Sequence, residues 1–322
     1  MLNSVEYKEF DSNRFFGVEI EFGDSDFSRN QISDIISKKT HKRVKVARGW
    51  AESKNNSYWH VKHDSTCGDE VPSFPQWSKP FGWEVASYKA AGKKDILHIA
   101  EVAEFLKSQG ALVNCNCGFH IHVDVSDFSE DRVSSILANW IKVEDIFFNM
   151  VPERRSDSNY CKRWRDSLSF KKANSLVREI RTSPDIFWDI MKPTDKRIHN
   201  NEQKKFSLNL VNYIRNLKSR ETLELRLPEG TLDGWSIVNW TIMFINFLEY
   251  NSGFPSDLDA VKDVDEFLEV IGMGHGNGFR IYGQDLSQTR SWVLSRIQRF
   301  AQNTHLWKDS WDVWKNINIQ NN

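Results

Sequence analysis

The side chains that best suggest chemistry are two histidines in an alternating segment. In Cys117-Gly-Phe-His-Ile-His-Val-Asp-Val125, apolar residues alternate with His120, His122 and Asp124. A period of two is typical of a β-strand whose two faces have different surroundings. The two imidazoles therefore point to the same face of a predicted sheet. Paired histidines at this spacing often bind a metal ion or a phosphate, which makes the segment a candidate site.

Two other segments, far away in the sequence, have the same alternating design. Their polar positions are Glu19 and Glu21 in Gly17–Phe22, and Glu224 and Arg226 in Thr222–Leu227. Taken singly, each pair is also what an ordinary strand with one solvated face shows. If the three strands share a sheet, however, they line one polar surface with carboxylates, imidazoles and a guanidinium.

Two further predicted strands, Ser57–Asp64 and Phe81–Ser87, add the carboxylates of Asp64 and Glu84. An acid beside a turn is usually a cap or an Asx-turn residue, so Asp64 has a structural alternative. The segment Ser65–Pro80 between them is long for a loop of a compact domain, which favours a lid or a binding loop.

Several carboxylates and a histidine on one face suit hard divalent cations. Mg²⁺ and Mn²⁺ prefer oxygen ligands, and Mn²⁺ also accepts imidazole. A nearby arginine stabilises the charge of a phosphoryl group in transfer. The reaction that this set suits is ATP-dependent activation of a carboxylate as an acyl phosphate, which an amine then converts to an amide. Water must be excluded because it would hydrolyse the acyl phosphate.

The elements that would position these side chains alternate between strands and helices. Helices are predicted from Ser28 or Asn30 to Lys38, from Asp95 as the cap to Gln109, from Ser129 to the break at Met150-Val-Pro, and from Asp233 through Leu248. Two further helices are predicted in 255–303 and another in the tail 304–322. We expect an α+β fold with a catalytic domain over 1–254 and a helical extension packed on it over 255–322.

Composition narrows the function classes. The chain has 322 residues, 39% apolar content and a formal net charge of −1, which argues against bulk binding to nucleic acid. Four cysteines in a chain of this size do not suggest a disulfide framework. The start has no apolar leader segment, and the longest apolar run, Val238–Leu248, is too short to span a bilayer. A cytoplasmic protein is expected, and the oligomeric state is left open.

The segment 151–205 is rich in basic residues, including Arg154. Its alternatives are a solvated surface and an anion-binding lip for a nucleotide or an acidic substrate.

An ordered series of short motifs resembles the amidoligase family, which is related to glutamine synthetase and glutamate–cysteine ligase. The motifs are Gly17–Glu21, Trp59–Ser65, Trp83–Ser87, Cys117–Val123, Ser207–Leu210, Thr222–Arg226 and Gly230–Asp233. Each motif alone is weak, and the order of the set carries the resemblance.

The resemblance implies a fold and a division of roles. The fold is a curved antiparallel sheet with helices on its convex face and ligands on its concave face, as in the glutamine synthetase catalytic domain. The implied ligands are Glu19, His120 and Glu224 for one metal, and Glu21, Asp64 and Glu84 for another. His122 and Arg226 would meet ATP phosphates, with Lys62 and Arg154 as further nucleotide-binding candidates. Arg226, His122 and Glu84 form the expected catalytic set. The substrates would be a small-molecule or peptide carboxylate and an amine, whose identities the family does not fix.

Two rival interpretations belong to other classes. Cys115, Cys117, His120 and His122 could form a compact zinc site in a binding module, although a regular strand puts cysteines and histidines on opposite faces. A degenerate ligase that only binds nucleotide is the other rival. Every acidic position of the motif set carries an acid in this chain, which argues against a degenerate ligase.

Overall fold

The computed structural model describes residues 14–23, 27–46, 57–67, 82–164, 203–214, 221–251, 263–271, 273, 280–281 and 284–300. The chain divides into two compact units. The first comprises 12–124 and 224–241, and the second comprises 1–11, 125–223 and 242–322.

Strands and helices are numbered in chain order over the described residues. The strands are β1 Phe16–Phe22, β2 Val44–Val46, β3 Trp59–His63, β4 Trp83–Ala86, β5 Phe119–Asp124, β6 Leu208–Asn209, β7 Thr222–Leu225, β8 Arg280–Ile281 and β9 Gln284–Asp285. The α-helices are α1 Arg29–Ser37, α2 Gly92–Ser108, α3 Glu130–Phe148, α4 Glu153–Ser156, α5 Val211–Ile214, α6 Gly234–Asn251, α7 Val264–Val270 and α8 Leu286–Phe300. A 3₁₀ turn covers Gln203–Lys205.

Strands β1 to β7 form a seven-stranded sheet in the order β2-β3-β4-β1-β5-β7-β6. The pairs β3–β4, β4–β1 and β1–β5 are antiparallel, whereas β2 runs parallel to β3. The α+β class is therefore confirmed, and the prediction of a wholly antiparallel sheet is wrong. Parallel pairing needs a long crossover connection, and residues 47–58 between β2 and β3 supply that length. The expected curvature and the convex position of the helices stay predictions.

In the first unit, β1 and β5 bury one face each and use the other for polar side chains. Val18 and Ile20 on β1, and Phe119 and Ile121 on β5, are fully or almost fully buried. Because side chains alternate along a strand, the intervening glutamates and histidines lie on the opposite face. The alternating segments are indeed strands, and β1, β5 and β7 belong to one sheet, which is the condition for their polar side chains to line one surface.

Helix α1 begins as predicted, with Ser28 as its cap. The Ser28 hydroxyl accepts a hydrogen bond from the Gln31 backbone N–H, and the Gln31 side chain accepts one from the Ser28 N–H. This reciprocal arrangement is a capping box. The isoleucines of α1 are buried, and the helix packs against β2, β3 and α2.

Helix α2 begins at Gly92, earlier than predicted, and Asp95 is not its cap. The Asp95 carboxylate reaches back from within the first turn and accepts a hydrogen bond from the Ala91 backbone N–H at 2.9 Å. It also accepts one from the Tyr88 hydroxyl at 2.8 Å. An acid at this position satisfies an unpaired amide of the helix start without occupying the cap position.

The second unit is held together by aromatic packing along its helices. Ser129 caps α3 as predicted. The Phe147 ring of α3 meets Phe247 of α6 and Phe267 of α7 edge to face, at centroid distances of 5.4 and 5.8 Å. Edge-to-face pairs of this kind stabilise a core beyond their buried area.

The described part of 255–303 contains α7 and α8, in agreement with the two predicted helices. The domain boundary after residue 254 falls in 252–262, outside the described residues, and the division stays a prediction. The predicted tail helix in 304–322, most of the Ser65–Pro80 loop and residues 165–202 of the basic segment also lie outside them. No helix in the described ranges is both long and apolar enough to cross a membrane.

Gly230 is a position where the fold tolerates no side chain. A Cβ added there would lie 2.4 Å from the Cys117 Cβ and 3.0 Å from its carbonyl carbon. We expect Gly230→Ala to lower the free energy of unfolding by about 1–3 kcal/mol because Cys117 must shift. Urea denaturation monitored by tryptophan fluorescence measures the change.

Gly17→Ala is the matched control. Its added Cβ would meet nothing nearer than the Ser87 hydroxyl at 3.7 Å, an ordinary contact. Stability should be unchanged or slightly higher, because alanine costs less conformational entropy than glycine. Equal losses in both variants would show that close approach at Gly230 is not the cause.

Candidate active site

The strand registers of the first unit place the predicted ligands side by side. Glu19 on β1 lies directly opposite His120 on β5, and Glu21 lies opposite Glu84 on β4. Glu84 in turn lies opposite Lys62 on β3. Directly opposed residues share a face of the sheet, so these side chains form one polar surface.

The first group of potential ligands is Glu19, His120 and Glu224. Ligand atoms of all three residues lie within 4.8 Å of one another. The His120 Nδ1 is 3.1 Å from the Glu19 Oε2 and 3.8 Å from the Glu224 Oε1. His120 and Glu224 are buried. The resemblance implied this set for one metal ion, and the structure brings its members together.

The second group is Glu21, Asp64 and Cys67, whose ligand atoms also lie within 4.8 Å of one another. The Glu21 Oε2 accepts a hydrogen bond from the Gly118 backbone N–H at 2.5 Å. The His120 Nε2 is 3.6 Å from the Glu21 Oε1, so one imidazole faces both groups.

The two groups differ from the implied sets in one respect. Glu84 was expected beside Glu21 and Asp64, but its Oε1 lies 2.5 Å from the Lys62 Nζ. Among the described residues, the thiol of Cys67 completes the second group instead. A role of Glu84 as a metal ligand stays a prediction.

Cys67 is the site residue that sequence reasoning missed. The turn after β3 positions it, because the Asp64 Oδ1 accepts hydrogen bonds from the Thr66 backbone N–H and hydroxyl, both at 2.7 Å. Asp64 thus has the Asx-turn role that was its structural alternative, while its carboxylate also faces Glu21. A lone cysteine before a long loop carries no signal that would have marked it. The hydrogen bond with the Cys117 thiol and burial raise the pKa of Cys67.

Basic side chains lie at both ends of this surface. At one end the Arg226 guanidinium donates a hydrogen bond to Glu224. At the other end Lys62 donates to Glu84. Between them, the His122 Nε2 is 3.4 Å from the Glu19 Oε1 and 3.9 Å from the Glu224 Oε1. Arg226 follows the last residue of β7, and pairing with β5 continues past it through the Gly118–Glu229 bridge.

The pKa values of the buried carboxyl groups are shifted in different directions. Burial acts to raise the pKa of Glu19, but the charges of His122 and Lys62 and hydrogen bonds from the histidines hold it well below its usual range. Burial also opposes the ionisation of Glu224, yet Arg226 and the two imidazoles lower its pKa. For Glu84, burial and the Glu19 charge outweigh Lys62 and raise the pKa to about 8.

The pKa of His122 depends on the same charges. Burial alone would lower its pKa, but the carboxylates of Glu224 and Glu19 raise it above the ordinary value. A protonated imidazole on this face suits contact with anionic phosphate oxygens.

The remaining predicted site residues are Arg154 and the two cysteines of the zinc interpretation. Arg154 lies exposed on α4 in the second unit, and its role with a nucleotide stays a prediction.

Cys115 is exposed, and the buried Cys117 thiol donates to the Asn114 side chain at 3.3 Å. In the part of the chain that the structure describes, neither cysteine joins His120 and His122 in a group of potential ligands. The zinc interpretation therefore gains no support.

The first group fits a divalent cation by donor chemistry and spacing. Carboxylate oxygens with one imidazole nitrogen are donors that Mn²⁺ accepts, and Mg²⁺ accepts the oxygens. Metal–oxygen bonds of about 2.0–2.4 Å place two ligands of one ion about 3–4 Å apart. The distances from His120 to Glu19 and Glu224 fall in this range.

Comparison with known proteins identifies the family of the chain. A family model described as "Putative amidoligase enzyme" matches residues 12–248. The match covers most of the chain and all the side chains of the surface, so the chain belongs to the amidoligase family. No curated protein matches it.

Opposite pKa shifts predict opposite effects of two substitutions on stability. The folded-state pKa of Glu84 lies above its ordinary value, so its contribution is present below pH 4.5 and is lost as pH rises through about 8. The folded-state pKa of Glu19 lies below its ordinary value. Its contribution to stability is therefore present above pH 4.5 and is lost as pH falls. At pH 9 without metal, we expect Glu84→Gln to raise the thermal midpoint and Glu19→Gln to lower it, each by a few degrees.

Thermal unfolding followed by circular dichroism at pH 5 and pH 9 makes the comparison. The advantage of Glu84→Gln over wild type should shrink at pH 5, where the wild-type carboxyl is protonated. A pH-independent difference would rule out ionisation of Glu84 as its cause.

Proposed function

We propose that the protein is an ATP-dependent carboxylate–amine ligase that forms an amide through an acyl-phosphate intermediate at a divalent-metal site. Membership of the amidoligase family supports the ligase class. The observation that carries the finer proposal is the convergence of Glu19, His120 and Glu224 within 4.8 Å on one sheet face. The Glu21 group lies on the same face, and His120 faces both.

The reaction has two steps, and each balances. A carboxylate oxygen of the acid substrate attacks the γ-phosphorus of ATP, the bond from that phosphorus to the β,γ-bridging oxygen breaks, and ADP leaves. The amine then attacks the carbonyl carbon of the acyl phosphate. The carbon–oxygen bond to phosphate breaks, inorganic phosphate leaves and the amine nitrogen loses a proton.

The side chains of this surface supply binding and charge stabilisation. Glu19, His120 and Glu224 would hold one cation, with Glu21 and Asp64 for another and Glu84 as a further candidate. Bound Mg²⁺ or Mn²⁺ would neutralise the nucleotide phosphates and polarise the phosphoryl group in transfer. The Arg226 guanidinium, fixed by its hydrogen bond to Glu224, would stabilise charge on the phosphoryl oxygens. His122 and Lys62 would contact further phosphate oxygens as cationic donors.

The nature of the acid and the amine is a separate question. Family membership implies a small-molecule or peptide carboxylate and an amine, and it names neither. ADP release screened over pairs of carboxylates and amines identifies them most directly. The genes adjacent to the coding sequence would narrow the set of pairs to test.

ATP binding should depend on a divalent cation and on His120. We expect calorimetry to give a much tighter ATP affinity in excess Mg²⁺ than in EDTA. His120→Ala should weaken the metal-dependent affinity by about tenfold or more, since it removes a ligand that faces both groups. Its fold should remain intact because the imidazole lies on the polar face rather than in the apolar core.

His98→Ala is the matched control for loss of an imidazole. His98 lies on α2, where its Nε2 is 3.0 Å from the Thr40 hydroxyl, away from the carboxylate surface. Its metal-dependent ATP affinity should equal that of wild type. Equal ATP affinity in EDTA and in excess Mg²⁺ for wild type would contradict the metal-dependent proposal.

Arg226→Lys should be nearly as damaging as Arg226→Ala. A guanidinium offers a planar fork to two phosphoryl oxygens, whereas an ammonium is a compact charge with a different reach. The guanidinium is also oriented by Glu224, which is buried, so the pair is not an ordinary surface ion pair. We expect turnover to fall roughly a hundredfold, equivalent to about 3 kcal/mol, with a smaller change in KM.

ADP release with the substrate pair found in the screen measures both variants. Arg132→Lys is the control, because Arg132 pairs with Glu249 at 3.9 Å in the second unit. It should turn over like wild type, as such pairs contribute at most about 1 kcal/mol to stability. Wild-type turnover in Arg226→Lys would leave the phosphate role without support.

A further inference from the structure

Lys62 places an ammonium on the polar face, in contact with Glu84 and near Glu19. The β3–β4 register places it opposite Glu84, and the β4–β1 register places Glu84 opposite Glu21. Since opposed residues share a face, the three side chains form one row across the sheet. Glu84 stands in the middle of this row, between a cation and a potential metal ligand.

The ammonium is bound closely within this row. The Lys62 Nζ lies 2.5 Å from the Glu84 Oε1 and 4.0 Å from the Glu19 Oε1. Its side chain is 22% exposed and that of Glu84 is 12% exposed. Partial burial strengthens such a pair relative to one at the surface, because solvent screens it less.

Glu84 contacts Lys62 and lies outside the close group of ligand atoms around Glu21. In the described ranges, ligand atoms of Glu21, Asp64 and Cys67 converge within 4.8 Å, and Glu84 is not among them, although it is the cross-strand neighbour of Glu21. A cation bound by Glu21 and Glu84 together would lie close to the ammonium. Two positive charges at such a distance repel strongly in a partly buried site.

We propose that Lys62 is a resident counter-cation that competes with the second divalent cation for Glu84. The inference rests on the proposed function, because the second cation belongs to the proposed ligase site. In the cation-free state the Lys62 ammonium donates a hydrogen bond to Glu84, and uptake of the cation requires the ammonium to withdraw. The four-carbon chain of lysine allows this movement, and the released ammonium can then meet a nucleotide phosphate.

Binding of Mn²⁺ alone tests the competition without nucleotide or turnover. Free Mn²⁺ is measured by electron paramagnetic resonance as protein is titrated, which gives the number of sites and their affinities. Lys62→Met removes the charge and keeps an unbranched chain of similar length. We expect its second Mn²⁺ to bind about tenfold tighter than in wild type, or more, because the repulsion is lost. Lys62→Arg, which keeps the charge, should stay near wild type.

Two controls assign the effect to the Lys62–Glu84 pair. Lys107→Met removes a lysine whose Nζ lies 3.9 Å from the Glu104 Oε2 on α2, outside the polar surface. It should leave both Mn²⁺ affinities unchanged, which excludes an effect of net charge. Adding Glu84→Gln to Lys62→Met should cancel the gain, because the two changes act on one contact and are not additive.

The outcomes separate the inference from the proposed function. An unchanged or weaker second affinity in folded Lys62→Met overturns the inference, and Lys62→Gln makes the same test if the methionine variant fails to fold. A gain that persists with Glu84→Gln also overturns it. Absence of any Mn²⁺ binding by wild type would instead overturn the metal-dependent function itself.

Discussion

The polar face of the sheet depends on the balance between crowded carboxylates and the cations among them. Glu19, Glu21, Glu84 and Glu224 occupy adjacent positions of the first unit, and like charges at this spacing disfavour folding. The balance comes from Arg226 at one end, Lys62 at the other and imidazoles between them. The pKa values of Glu19 and Glu224 are lowered by their cationic neighbours, whereas burial and the Glu19 charge raise that of Glu84. The surface is therefore prepared for added positive charge mainly at the side of Glu84.

Backbone groups and glycines give this surface its shape. The Gly118 N–H donates to Glu21, which fixes one carboxylate without a further side chain. Gly82 and Gly230 allow the chain to pass so close to Cys67 and Cys117 that a Cβ would clash. The first approach brings the start of β4 against the turn after β3, and the second brings the chain after β7 against the residues that precede β5. The turn after β3 supplies Asp64 and Cys67. The second group of ligands is thus built by chain packing rather than by one strand.

Family membership and local geometry support one another but answer different questions. The family match indicates a ligase, and it extends over the strands that carry the polar surface. The geometry indicates which atoms can share a cation, and it includes a thiol that the motif set did not suggest. A thiol is a softer donor than a carboxylate, so Cys67 distinguishes the second group chemically from the first. Its pKa is raised by the hydrogen bond with Cys117 and by burial, which favours the neutral thiol in the cation-free state.

The sequence by itself determined the strands and the face of each strand on which the ligand-type side chains lie. Period-two alternation is a local property, so Glu19, His120 and Glu224 could be assigned to polar faces before any contact was known. Ser28 and Ser129 predicted two helix starts because capping is also local. Only the tertiary structure decided strand order, the parallel pairing of β2 with β3, and the partner of each carboxylate. These depend on register between distant segments, where one residue of slip exchanges the faces. Alternation placed Glu84 on a strand, and the register decided that it lies opposite both Glu21 and Lys62, with its carboxyl oxygen 2.5 Å from the Lys62 ammonium.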